Sequence, residues 1–99
     1  MILEHALITI RPGTADDFED ALLRARPIIA ASHGFISLEL HRGVEQPDRY
    51  LLLVEWESLD DHLVGFRESA AFTEWRALIG PYFESPPVAG HFAPVDELT

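Results

Sequence analysis

Ninety-nine residues, 47% hydrophobic and 24% charged, make one globular domain, too short for two cores and too apolar for a disordered chain. A formal net charge of −10 argues against nucleic acid and against docking on an anionic membrane surface, and the absence of lysine removes Schiff-base chemistry through a lysine amine. The absence of cysteine removes disulfides, thiolate nucleophiles and Cys-ligated metals.

The chain starts with neither a basic leader nor a long apolar run, so a cytoplasmic protein is expected. Residues 2 to 10 read as a strand, with Ile2, Ala6, Ile8 and Ile10 on one face and Leu3, His5 and Leu7 on the other. Pro12-Gly13 turns the chain. Thr14-Ala15-Asp16-Asp17 has capping-box form with Asp in place of Glu. Phe18, Leu22, Ala25 and Ile29 then repeat at helical spacing through about residue 32, with Pro27 expected to kink or split the helix and Gly34 to follow its end.

Residues 35 to 42 and 49 to 57 read as strands joined by a Gly- and Pro-containing hairpin. Ser58 is expected to cap a helix carrying Leu59, His62, Leu63 and Phe66 on one side. Ser69 is expected to cap the next, carrying Phe72, Trp75 and Ile79. Gly80-Pro81 stops that helix, and Ser85-Pro86-Pro87 leads to a fourth strand near 88 to 95. The result is a single α+β domain over residues 1–99, a βαββαβ unit with a core from about 2 to 95 and a short C-terminal tail.

The third strand argues for a partner. Tyr50, Leu52, Val54 and Trp56 point one way, and Leu51 and Leu53 the other. Helices cover one face of a βαββαβ sheet, so the second apolar face calls for a packed sheet from another copy. A homodimer through that face is expected.

Several side chains could carry chemistry. His62 shares a helical stripe with Leu59 and Phe66. It is either a core histidine satisfied by a backbone carbonyl or a pocket base, since histidine titrates near neutrality. His91 alternates with Phe92, so one of the two faces inward; exposure at a sheet edge is the alternative. Trp56 and Trp75 are aromatic walls or plain core. Arg67 and Arg76 stand one step off the apolar stripe. They either lay their stems on apolar surface or hold a phenolate or carboxylate at a pocket mouth. His5, His33 and His41 are weaker candidates, assigned to the open sheet face, a helix end and a hairpin. No metal site is expected: no histidine pair has i, i+4 helical spacing, and Glu39 with His41 offers only two ligands. No glycine-rich phosphate loop or nucleophile elbow is present.

The run Val54-Glu55-Trp56-Glu57-Ser58, then His62, Phe66-Arg67-Glu68-Ser69, Phe72, Trp75 and Val88-Ala89-Gly90-His91-Phe92 resembles the antibiotic biosynthesis monooxygenase family. So do Pro12-Gly13 and His33-Gly34-Phe35 upstream. The resemblance spans roughly residues 2 to 95. It implies a ferredoxin-like subunit with a four-stranded antiparallel sheet and helices on one face, paired into a dimeric α+β barrel. It also implies a cavity between helices and sheet. Several members oxidise electron-rich phenols, quinols or polycyclic aromatics without flavin, haem or metal. By that resemblance no cofactor is expected here. His62 or His91 would be the base, Arg67 or Arg76 the donor to the developing anion, and Trp56, Phe66, Phe72 and Trp75 the walls around an aromatic small molecule. Members that degrade haem look to an Asn in the first strand, a Trp after the third and a His further on. The aligned positions here are Ala6, Phe66 and Arg76, and the chain has no asparagine at all. Two other functions fit the same pocket: a non-catalytic small-molecule binding or stress-response protein, and a proton-transfer isomerase.

Overall fold

A computed structural model describes residues 1–98. The elements are β1 (Ile2–Thr9), α1 (Ala15–Ala30), β2 (Phe35–Arg42), β3 (Arg49–Trp56), a π-helical turn (Asp61–Phe66), α2 (Ala70–Ile79), a 3₁₀ turn (Gly80–Tyr82) and β4 (Val88–Phe92). The strands form one antiparallel sheet in the order β2-β3-β1-β4. Both helices pack on the same face, giving the ferredoxin-like α+β architecture.

The period of two sorts the sheet. Ala6, Ile8, Tyr50, Leu52, Val54 and Trp56 are buried against Phe18, Leu22, Ala25 and Ile29 of α1 and Trp75 and Ile79 of α2. Each large apolar side chain so buried contributes roughly 1.5–3 kcal/mol before entropy is counted. On the opposite face Leu3, Leu7, Leu51 and Leu53 are only half-buried. Val88 and Phe92 at its edge are 65% and 55% exposed.

Strand register brings two polar residues together on the covered face. On β1, Glu4 is opposite Val54 on one side and His91 on the other. The alternation that buries Ala6 and Ile8 therefore buries Glu4 and turns His91 inward beside it, while Phe92 and Leu3 share the open face. A bulge at Ile36 breaks the β2–β3 register between Phe35 and Ser37. The Phe35 ring there meets Trp56 edge-on at 5.9 Å.

Four local expectations are corrected. Thr14 caps nothing: its hydroxyl donates to the Arg11 carbonyl at 2.6 Å, which leaves no capping bond to the helix. Pro27 does not split α1, which runs unbroken across it. Leu23, whose carbonyl loses its partner N–H, and Pro27 both lie on the exposed side, where water can replace the bond. The segment after Ser58 forms the π-helical turn in place of an α-helix. β4 ends at Phe92 rather than near 95. The tail closes a turn, with the Leu98 N–H donating to the Val95 carbonyl at 2.9 Å. Its final residue, Thr99, lies outside the described residues.

Candidate functional site

The site is assembled around the π-helical turn. Ser58 does start it: its hydroxyl accepts from the Asp61 N–H at 3.2 Å and donates to the Asp61 carboxylate at 2.9 Å. The backbone then closes one residue wider than an α-helix, with the Arg67 N–H reaching the His62 carbonyl at 2.9 Å. Asp61 is also gripped from the start of β2. His33 Nδ1 lies 3.0 Å from its carboxylate, and Gly34 packs so closely that any Cβ there would collide with Asp61. Gly34 sits at φ +82°, a left-handed conformation that favours glycine. His33 is thus a clamp on Asp61 rather than a charge at the end of α1. The next residue along, His62, is aimed into the interior.

Four side chains converge there from four elements. The Trp56 indole N–H donates to Glu4 Oε1 at 3.0 Å. His62 Nε2 lies 3.3 Å from the same oxygen, and the His62 ring stacks on Trp56 with centroids 5.3 Å apart. His62 Nδ1 is 2.8 Å from His91 Nε2. Glu4 and His62 are only 8% and 4% exposed. The protonation states follow from burial. Desolvation raises the Glu4 carboxyl above its ordinary range, held back by the Trp56 N–H and the Arg67 charge. Desolvation, then the neighbouring His91 and Arg67, lower His62 to about 4. Desolvation, Arg67 and His5 lower His91 as well. Two neutral imidazoles therefore stand in line behind a carboxyl whose ionisation burial opposes.

Above this cluster lies a pocket of about 130 Å³. Its floor is Glu4, His62 and the sheet residues Ala6 and Leu52; its walls include Phe72, Trp75 and Phe83. Arg67 and Arg76 stand at its edge, both with their guanidinium groups 5.9 Å from the Phe72 ring centre. Arg76 also lies 5.4 Å from that of Phe83. Neither forms an ion pair with a carboxylate among the described residues. They leave a local positive edge on a strongly acidic chain. Ser69 fixes α2 above it by accepting from the Phe72 N–H at 3.3 Å.

Of the side chains expected at a site, His62, Arg67, Phe72, Trp75 and Arg76 line the pocket. Trp56 and Phe66 do not. Both are buried one layer behind, Trp56 holding Glu4 and His62, Phe66 tying Trp56 to α2 through ring contacts at 5.7 and 6.1 Å. His91 reaches the pocket only through His62. Glu4 and Phe83 are the residues that sequence reasoning passed over. Glu4 had a signal, since Ile2, Ala6 and Ile8 already marked its face as inward. Among the described residues no group of three or more His, Cys, Asp or Glu side chains is arranged to hold a metal ion. No helix among them is long and apolar enough to cross a membrane.

The profile of the family described as Antibiotic biosynthesis monooxygenase matches residues 1–78. The uncharacterized protein YczJ of Bacillus subtilis (strain 168) is 42% identical over 95 residues, 96% of this chain and 100% of that protein. Among solved structures, the chain is similar to a protein from Bordetella bronchiseptica assigned to the same family. The TM-score is 0.92 at 45% identity, over 95% of this chain and 96% of the other. SnoaB, a cofactor-independent oxygenase from Streptomyces nogalater, shares the fold with a TM-score of 0.77 at 20% identity, over 94% of this chain and 91% of its own.

Proposed function

The chain belongs to the antibiotic biosynthesis monooxygenase family, and from that premise we propose that it oxygenates a single-ring phenol or quinol without a cofactor. The observation that carries this reading is an acid–base pair, Glu4 and His62, at the floor of a small aromatic-walled pocket edged by two arginines. Volume narrows the substrate. An apolar cavity of about 150 Å³ holds benzene, so 130 Å³ receives one ring, and any further ring would extend out of the open mouth. The arginines suit a ring bearing a phenolate or carboxylate.

The chemistry asks little of the protein. The phenolic proton leaves, and the electron-rich anion passes one electron to oxygen. The radical pair joins through a carbon–oxygen bond, and the peroxide takes up a proton. Loss of water leaves a carbonyl. One oxygen atom enters the ring and the other leaves as water, the substrate supplying all four electrons. The protein's part is to exclude bulk water, accept and return a proton, and stabilise the anion through Arg67 or Arg76. Oxygen uptake by purified, chelator-treated protein with a panel of substituted hydroquinones tests this. Consumption above the buffer rate, with product formed mole for mole, is expected. Tight binding of the same compounds without uptake would contradict it and favour a binding protein.

The second part of the reading is assembly. A homodimer through the open sheet face would cover Leu3, Leu7, Leu51, Leu53, Val88 and Phe92. The His5 ring packs on Phe92 on that face and would be covered with it.

A further inference from the structure

Glu4 Oε1 meets both Trp56 and His62, whereas Oε2 has no hydrogen-bond partner among the described residues. It is not sealed either, since the one sealed and unpartnered side-chain atom among them is Nδ1 of His5. Glu4 lines the pocket, so Oε2 is the atom that a pocket occupant can reach. At the other end of the line, His91 is only part-buried, and its Nδ1 is likewise unpartnered and unsealed. Between these two open ends run three groups in contact, at 3.3 and 2.8 Å.

We propose that Glu4 rather than His62 exchanges the proton with a pocket-bound phenol or quinol, and that His62 and His91 form a two-imidazole relay between Glu4 and solvent. The proposal rests on the oxygenase reading for its substrate, but not for its geometry. In the outward step the substrate O–H bond breaks as its proton joins Oε2. In the proposed cycle Glu4 starts in its neutral form: the proton on Oε1 passes to His62 Nε2, His62 Nδ1 yields its proton to His91 Nε2, and His91 Nδ1 yields one to water. Every group ends neutral, and one proton has moved from substrate to solvent. Both rings then hold the opposite tautomer. The peroxide formed later needs one proton back, and its inward passage restores them. A cycle that sends one proton out and takes one in therefore resets the relay.

The surroundings favour passage over storage. Arg67 bears on Glu4, His62 and His91 alike and opposes a resident imidazolium on either ring. Trp56 stacks on His62 while donating to Oε1, so one side chain touches both partners of the first transfer. The 3.3 Å approach of His62 Nε2 to Glu4 Oε1 is not aligned as a hydrogen bond in the free protein, so the first transfer requires the two groups to tighten around a bound substrate.

The test has two arms. Nitrogen-15 spectra of the histidine rings in the free protein need no substrate. At neutral pH both rings should be neutral and Nδ1-protonated, and Glu4→Gln should disturb that pattern at His62 and, through it, at His91. An imidazolium on either ring, or tautomers indifferent to Glu4→Gln, would overturn the relay whatever the protein turns over. The second arm uses methylhydroquinone and oxygen. Glu4→Gln should lose about 10²-fold or more in kcat, a typical loss for one acid–base group, and Glu4→Asp should retain part of it. His91→Ala should slow in dilute buffer and recover with added imidazole, a rescue that a merely structural histidine would not show. Full activity in folded Glu4→Gln, with activity lost in His62→Gln, would return the base to His62. No turnover by the wild type, beside the expected spectra, would sink the oxygenase reading and leave the relay standing.

Discussion

The Trp56 indole and the Glu4 carboxyl, on two neighbouring strands, meet at 3.0 Å with both side chains buried. The donor offsets part of the desolvation of a carboxyl that accepts no other hydrogen bond among the described residues. Trp56→Phe keeps an aromatic body and removes the donor. It should destabilise the fold by about 1–3 kcal/mol in chemical denaturation and raise the Glu4 pKa further, read by carbon-13 titration of its carboxyl. An unchanged Glu4 titration would mean that the bond contributes nothing.

Acid should unfold the protein partly through His62. Its pKa is 6.5 as a free side chain and about 4 in the fold, so between those values the unfolded chain binds the extra proton. Stability from this group is therefore full above about pH 6.5 and lost as pH falls toward 4. The whole shift is worth about 3 kcal/mol, at about 1.4 kcal/mol per unit. His91, lowered too, acts in the same direction. Glu4 acts in the opposite one: its raised pKa favours the fold in acid and loses that contribution as pH rises through it. His62→Gln isolates the first effect, and the fall in Tm between pH 7 and 5 should be smaller in the variant than in the wild type. Equal falls would contradict the account.

Gly34 is where the start of β2 and the π-helical turn touch. Gly34→Ala places a Cβ against Asp61 at a φ of +82°, combining a clash with left-handed strain. A loss of roughly 2 kcal/mol or more is expected, together with a shifted His62 ring resonance, because Asp61 and His62 are adjacent. Gly13, at φ +83° with open space around it, should lose less on the same substitution. Similar losses at both would mean that close approach to Asp61 plays no part.

The open sheet face should hold two copies together. Sedimentation at micromolar concentration should give about twice the 11.1 kDa chain. Leu53→Asp would bury an unpaired charge at the centre of that face and should cost roughly 3 kcal/mol or more of dimer stability. A folded monomer in the unmutated protein would overturn the assembly.

Much of the fold was legible because alternation and helical period report burial directly. Tyr50, Leu52, Val54 and Trp56 declare a face, and Phe72, Trp75 and Ile79 a stripe. Depth was not legible. Alternation turns Trp56 inward but cannot say that His62 and Phe66 of the π-helical turn cover it while the cavity opens beside Trp75. The π-helical turn was hidden too, since adding one residue to a turn leaves no mark on propensity. Thr14 misled because its hydroxyl had a nearer acceptor in Arg11. Glu4 was missed for a different reason. A lone acid in a strand usually faces water, and the Trp56 N–H it gains from β3, with His62 of the π-helical turn close by, makes its burial tolerable.

Oxygenation of a phenolic ring in this pocket, by molecular oxygen and without a cofactor, is tested most directly by mass spectrometry of the product formed from methylhydroquinone under oxygen-18 gas. The protein is first freed of metals by chelation and of small molecules by gel filtration. One labelled oxygen atom is expected in the product, the second appearing in water, at a rate abolished by heat denaturation. Unlabelled product, or labelling that requires an added metal or flavin, would contradict it.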